Sequence, residues 1–95
     1  MEHAMNDEKI AQLKRLQAAL ALGWKSATMK PEYRGPDFPG TEDYPNGWFK
    51  AGVLVTTDGT VHHSVEPHHI ELSRDQAVSR QYCPSEAALS AMKSQ

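Results

Sequence analysis

The chain of 95 residues is short of several components that elaborate proteins depend on. Its single cysteine, Cys83, excludes an internal disulfide framework and any zinc site built on several thiolates. Long apolar runs are missing too: the longest, 18–22 and 51–55, fall far below the ~20 residues a membrane-spanning helix needs. Cationic charge is not in excess. Ten Lys/Arg against twelve Asp/Glu leave a net charge of −2, which excludes the strongly basic footprint of a protein held to nucleic acid mainly through phosphates. Glu2, His3, Asp7 and Glu8 stand where a secretory signal would be basic and then apolar. These absences point to one small domain over 1–95, with 1–5 as a tail, no membrane partner and a cytoplasmic setting.

What is present is organised unevenly. Asn6 is a good helix N-cap, Asp7 and Glu8 suit the positive end of a helix dipole, and Ile10, Leu13, Leu16 and Leu20 recur at helical spacing. Gly23 is placed to end that helix in the left-handed conformation, with Trp24 folding back on it. The pattern predicts a helix over 7–22. Residues 25–47 carry Pro31, Pro36, Pro39 and Pro45 with Gly35, Gly40 and Gly47, which forbids a long regular element. An edge strand over 28–34 fits inside this ordered loop, because Pro31 cannot donate to a ladder.

From Trp48 the period becomes two, with Phe49, Ala51, Val53 and Val55 on one face of a single strand. Asp58-Gly59 then signals a hairpin. A three-residue loop 57–59 sets Val55 opposite Val61 and joins the apolar residues into one face, which turns His63 inward and His62 outward. After Pro67, residues 68–72 read as a third extended segment with Ile70 and Leu72 inward. Ser73 with Gln76 is a capping-box pattern for a helix over 74–81, and Pro84 suits the first turn of a last helix over 84–93. The expected fold is therefore α+β: an N-terminal helix on a small antiparallel sheet of about three strands, a long Pro/Gly loop and two short C-terminal helices.

No pattern of nucleophile, base and orienting group stands out, so no catalytic residue is assigned and no cofactor is expected. Ser64, Ser73 and Ser85 lack a nucleophile-elbow context, and Cys83, even as an N-cap before Pro84, has no histidine brought to it by the sequence. The distinctive cluster is Met29, Tyr33, Arg34, Phe38, Tyr44 and Trp48, residue types enriched at interface hot spots and set in a loop stiffened by proline. It points to a non-enzymatic protein that binds or inhibits another protein. In size and in lacking a catalytic signature the chain is similar to accessory proteins of phages and plasmids.

Two other readings use different residues. His62, His63, His68 and His69 offer imidazoles to a metal, with Glu66 or Glu71 as a third ligand. Neither doublet chelates as a pair on a strand, where neighbours face opposite ways. Residues 1–35 carry a net +2 against −4 in the remainder, and Trp24 and Tyr33 beside those cations suit weak nucleic-acid binding. So small a chain also has reason to complete its core as a homodimer.

Overall fold

The computed structural model describes residues 7–34, 41–42, 45–74 and 82–95. Helix α1 (Asp7–Ala21) ends as its sequence requires. Gly23 takes φ +91°, its N–H donates to the Leu20 carbonyl, and the Trp24 N–H donates to the Ala19 carbonyl. This is the Schellman arrangement, in which a residue without Cβ reverses the chain while two orphan carbonyls are satisfied. Trp24 is thereby turned back into the core, 2% exposed. The Lys50 ammonium adds a hydrogen bond to the Leu22 carbonyl at 2.8 Å.

The chain passes directly from that reversal into β1 (Lys25–Met29). Strands β2 (Asn46–Lys50), β3 (Val53–Thr56), β4 (Val61–His62) and β5 (Ile70–Leu72) complete an antiparallel sheet of five strands, in the order β4-β3-β2-β1-β5. The expected three strands become five for two reasons. First, the expected strand over 28–34 lies earlier, at Lys25–Met29, and between two neighbours instead of at an edge. Pro31 instead opens a 3₁₀ turn, Pro31–Tyr33. Second, the stretch from Trp48 is not one strand. It reverses at Ala51-Gly52, both at positive φ (49° and 84°), and Lys50 pairs with Val53 across a two-residue loop.

That reversal resets which side chains share a face. Trp48 now pairs with Val55, and Phe49 pairs with Leu54 on the opposite face. The Asp58-Gly59 hairpin behaves as read, with Gly59 at φ +104° and Val55 opposite Val61. However, Leu54 is then opposite His62, so His62 points inward at 9% exposure while His63 is exposed. The expected orientations assumed that only one face of the sheet is buried.

Both faces are covered. Leu16 and Ala19 of α1, and Ala88 and Met92 of α2 (Glu86–Ser94), pack with Trp24, Trp48, Val55 and Tyr82 on one side. On the other, Val65 joins Ala27, Met29, Leu54 and Ile70. Strands β4 and β5 are the two edges, so residues 63–69 must cross the sheet to connect them, and Val65 is the anchor of that crossing strap. Its N–H donates to the Gly52 carbonyl at 2.8 Å. Ile70 is inward as read, but Leu72 is 47% exposed. The helix expected over 74–81 lies almost entirely outside the described residues. The last helix begins two residues later than read, capped by the Ser85 hydroxyl, which accepts from the Ala88 N–H at 3.0 Å. Among the described residues no helix is long and apolar enough to cross a membrane.

The Ala51-Gly52 turn generates a direct test. An L-residue held at positive φ costs roughly 1 kcal/mol, and Asn tolerates that region better than Ala. Ala51→Asn is expected to stabilise the fold by about 0.5–1 kcal/mol, read as a higher urea midpoint at unchanged slope.

Candidate functional site

The six residues expected to face a partner separate in the structure. Met29 and Trp48 are both 0% exposed, one in each core, because β1 and β2 are covered on both faces. They hold the fold together and are withdrawn from any recognition surface. Phe38 and Tyr44 lie outside the described residues. Tyr33 and Arg34 remain half-exposed just beyond β1.

The site is built where β1 stops. Pro31 starts the first 3₁₀ turn, the Arg34 N–H donates to the Pro31 carbonyl at 3.2 Å, and Arg34 Nε donates to the Met29 carbonyl at 2.9 Å. A second 3₁₀ turn, Pro67–His69, ends the strap that crosses the sheet. The two turns are joined through the backbone, since the Lys30 N–H donates to the His69 carbonyl at 3.0 Å. Glu66 and His69 cap the second turn reciprocally: the Glu66 carboxylate accepts from the His69 N–H, and His69 Nδ1 accepts from the Glu66 N–H at 3.0 Å. An accepting Nδ1 carries a lone pair, so the neutral ring has its proton on Nε2.

Three rings meet at this junction. Tyr33 lies 4.7 Å from His69 and 5.7 Å from His68, and the two imidazoles are 4.3 Å apart, centroid to centroid. Tyr33 also packs against the core of Ala27, Met29, Leu54, Val65 and Ile70. The result is a small aromatic surface packed on the core, with the Glu66 carboxylate held in the cap of the second turn and Arg34 held at the end of the first.

The four histidines proposed as metal ligands do not converge. Among the described residues, the group whose ligand atoms come together is Glu66, His68 and His69, without His62 or His63. The sequence reading missed this pairing because it placed His68 and His69 on a strand. In a 3₁₀ turn residues three apart eclipse, which sets Glu66 over His69, and His68 lies about 120° around the axis from His69 instead of the ~180° of a strand.

Cys83 is not the cap of the last helix, a role held by Ser85, and packs half-buried against the helix-side core. Trp24 is buried, so of the two rings set beside the N-terminal cations only Tyr33 is half-exposed. Lys14, Arg15 and Lys93 line an open groove of about 390 Å³ between the helices, shared with Glu86. Arg15 is turned away to the Pro84 carbonyl, to which its Nε donates at 2.8 Å.

No protein-family model, curated protein or solved structure matches the chain.

His62 has a structural consequence of its own. Burial beside Leu54 pushes its imidazole below the ordinary value of 6.5, and the negative charge of Asp58 opposes that only in part. Desolvation is the largest single influence on Asp58 and raises its carboxyl, but the hydrogen bonds together outweigh it. Hydrogen bonds from the Thr56 hydroxyl and from the Thr60 N–H and hydroxyl hold it below 3.8 on balance. Asp58 therefore stays ionised in mildly acidic solution. The unfolded chain binds a proton at position 62 more readily than the folded one, so stability falls as pH drops below 6.5. Chemical denaturation at pH 7.5, 6.5 and 5.5 is expected to show this loss, with a shallower decline in His62→Leu.

Proposed function

We propose that the chain is a non-enzymatic protein-binding module that acts by occupying a partner's surface through the paired 3₁₀ turns. Tyr33, Arg34, Glu66, His68 and His69 form the contact. The observation that carries this reading is the packing of the Tyr33, His68 and His69 rings on a surface pinned by two prolines and a backbone hydrogen bond.

The physical case rests on rigidity. Association loses free energy for every side chain and loop that must be ordered, and here the backbone of both turns and the Tyr33 and His69 rings are held before any partner arrives. Tyr and Arg are enriched at hot spots, and Tyr33 is half-exposed while its packing against the core holds it in place. Arg34, held through Nε on the Met29 carbonyl, adds a placed cation at the end of the first turn. Occupation alone suffices for an inhibitory role, since a rigid aromatic face that covers a partner's site blocks it without chemistry.

Quantitative affinity purification from the native host tests this with wild type and a Tyr33→Leu/His68→Ser pair, which keeps an apolar contact at 33. A partner recovered with wild type is expected to drop at least about tenfold with the pair, in keeping with the loss of one hot spot. Equal recovery would remove the surface from consideration.

A further inference from the structure

The cluster at the second 3₁₀ turn has a chemistry beyond its ring faces. Ligand atoms of Glu66, His68 and His69 all lie within 4.8 Å of one another. Glu66 and His68 are exposed and His69 is half-buried, so a solute reaches them from one side. We propose that these three residues bind one divalent transition-metal ion, with Zn²⁺ as its representative.

The donor set selects the class of ion. Two imidazoles and a carboxylate suit zinc, nickel or copper, whereas magnesium and calcium favour all-oxygen shells. Three protein ligands leave a fourth tetrahedral position to water. Ligand atoms around tetrahedral zinc are about 3.3 Å apart, as bond lengths near 2.0–2.1 Å require. The cluster is more open than this, and rotation of the exposed Glu66 and His68 side chains closes the difference. The backbone beneath them is already set. Pro67 fixes one φ, the His69 N–H donates to the Glu66 carbonyl at 2.9 Å, and the Ile70 N–H donates to the Pro67 carbonyl.

Binding displaces one identifiable hydrogen bond. The lone pair of neutral His69 is on Nδ1, where it accepts from the Glu66 N–H. An ion that takes Nδ1 replaces that amide directly. An ion at Nε2 requires the ring proton to move to Nδ1, where it faces the same N–H. Either route breaks the bond, so the Glu66 amide reports ligation at His69. The inference stands on ligand geometry and not on the protein-binding reading, because the ion is added without any partner.

Titration of the untagged full chain with Zn²⁺ by calorimetry, followed by two-dimensional amide NMR, tests it. One ion per chain is expected, with a displaced Glu66 amide resonance. His68→Ala and Glu66→Gln change exposed side chains, and circular dichroism confirms that their fold is kept. Each is expected to weaken binding at least about tenfold. His63→Ala, and His3→Ala outside the described residues, are expected to leave affinity within about twofold. Absence of saturable binding overturns the proposal. So does affinity that survives His68→Ala, or that is lost with His3→Ala or His63→Ala.

Discussion

The indole of Trp48 is the point on which the rest of the structure depends. It sits on β2, the central strand of five, with no exposure at all. A Trp buries about 150–250 Å², worth about 4–6 kcal/mol at 25 cal/mol per Å² as an upper estimate. Small domains have total stabilities of about 5–15 kcal/mol, so one side chain here rivals the whole margin. A buried indole also demands a partner for its N–H. The Tyr82 carbonyl supplies it at 2.7 Å, which ties the approach to α2 onto the middle of the sheet. The Tyr82 hydroxyl lies 2.6 Å from Thr28 Oγ1, which itself donates to Asn46 Oδ1 at 2.9 Å. With Thr28 donating onward, Tyr82 is the donor in that pair. Helix α2 is thus positioned by a polar chain that crosses β1 and β2, and α1 then packs against it over the same indole.

Covering the second face follows from the strand order. The chain leaves β4 at one edge and must enter β5 at the other, so a strap across the sheet is unavoidable. Val65 gives the strap a buried anchor, and Pro67 stops it from pairing as it nears the far edge. Pro31 does the same at the end of β1. Two prolines with no N–H to offer a ladder therefore end two extended segments at the same corner of the molecule. The rings of Tyr33, His68 and His69 meet there because the sheet ends there.

The parts of this fold that were legible in the sequence are those governed by local rules. Helix α1 has acidic residues in its first turn, a 3.6-residue period and a glycine stop, and each acts within a few residues of itself. The Val55–Val61 register follows from one glycine and one apolar match. Failures arise where a distant segment decides the environment. In β1 both Ser26 and Ala27 are fully buried, so the alternation that marks a half-buried strand never appears. Ala51-Gly52 lacks the Asn or Asp that advertises such a turn, and Ala51 accepts positive φ because the flanking pairs fix it. The exchange of His62 and His63 has the same origin: the strap buries a face that a three-stranded sheet would have left to solvent. Tyr33 and Arg34 stay half-exposed, whereas Met29 and Trp48, also of residue types enriched at interfaces, lie in the core. Nothing in the period of the sequence separates these two pairs.

The corner formed by the prolines also shows why aromatic and imidazole groups stay near the surface of a chain with few aromatics. Both tryptophans and Tyr82 are already spent on the helix-side core. The strap-side core is filled by smaller side chains and receives Tyr33 only at its margin. Tyr33 and His69 are half-exposed there and held by neighbours they cannot fully enter, whereas the exposed His68 is free to turn. Imidazoles present two kinds of contact there, ring faces toward an apolar or aromatic group and nitrogen lone pairs in the ring plane toward a cation. An ion bound by His68 and His69, whose rings are tilted 58° to each other, would fix the tilt of the faces that a protein meets. Any such coupling is reciprocal, so a partner selecting one ring orientation would change the affinity for the ion by the same factor. The two occupants are then linked through the orientation of two side chains, with no movement of the backbone required.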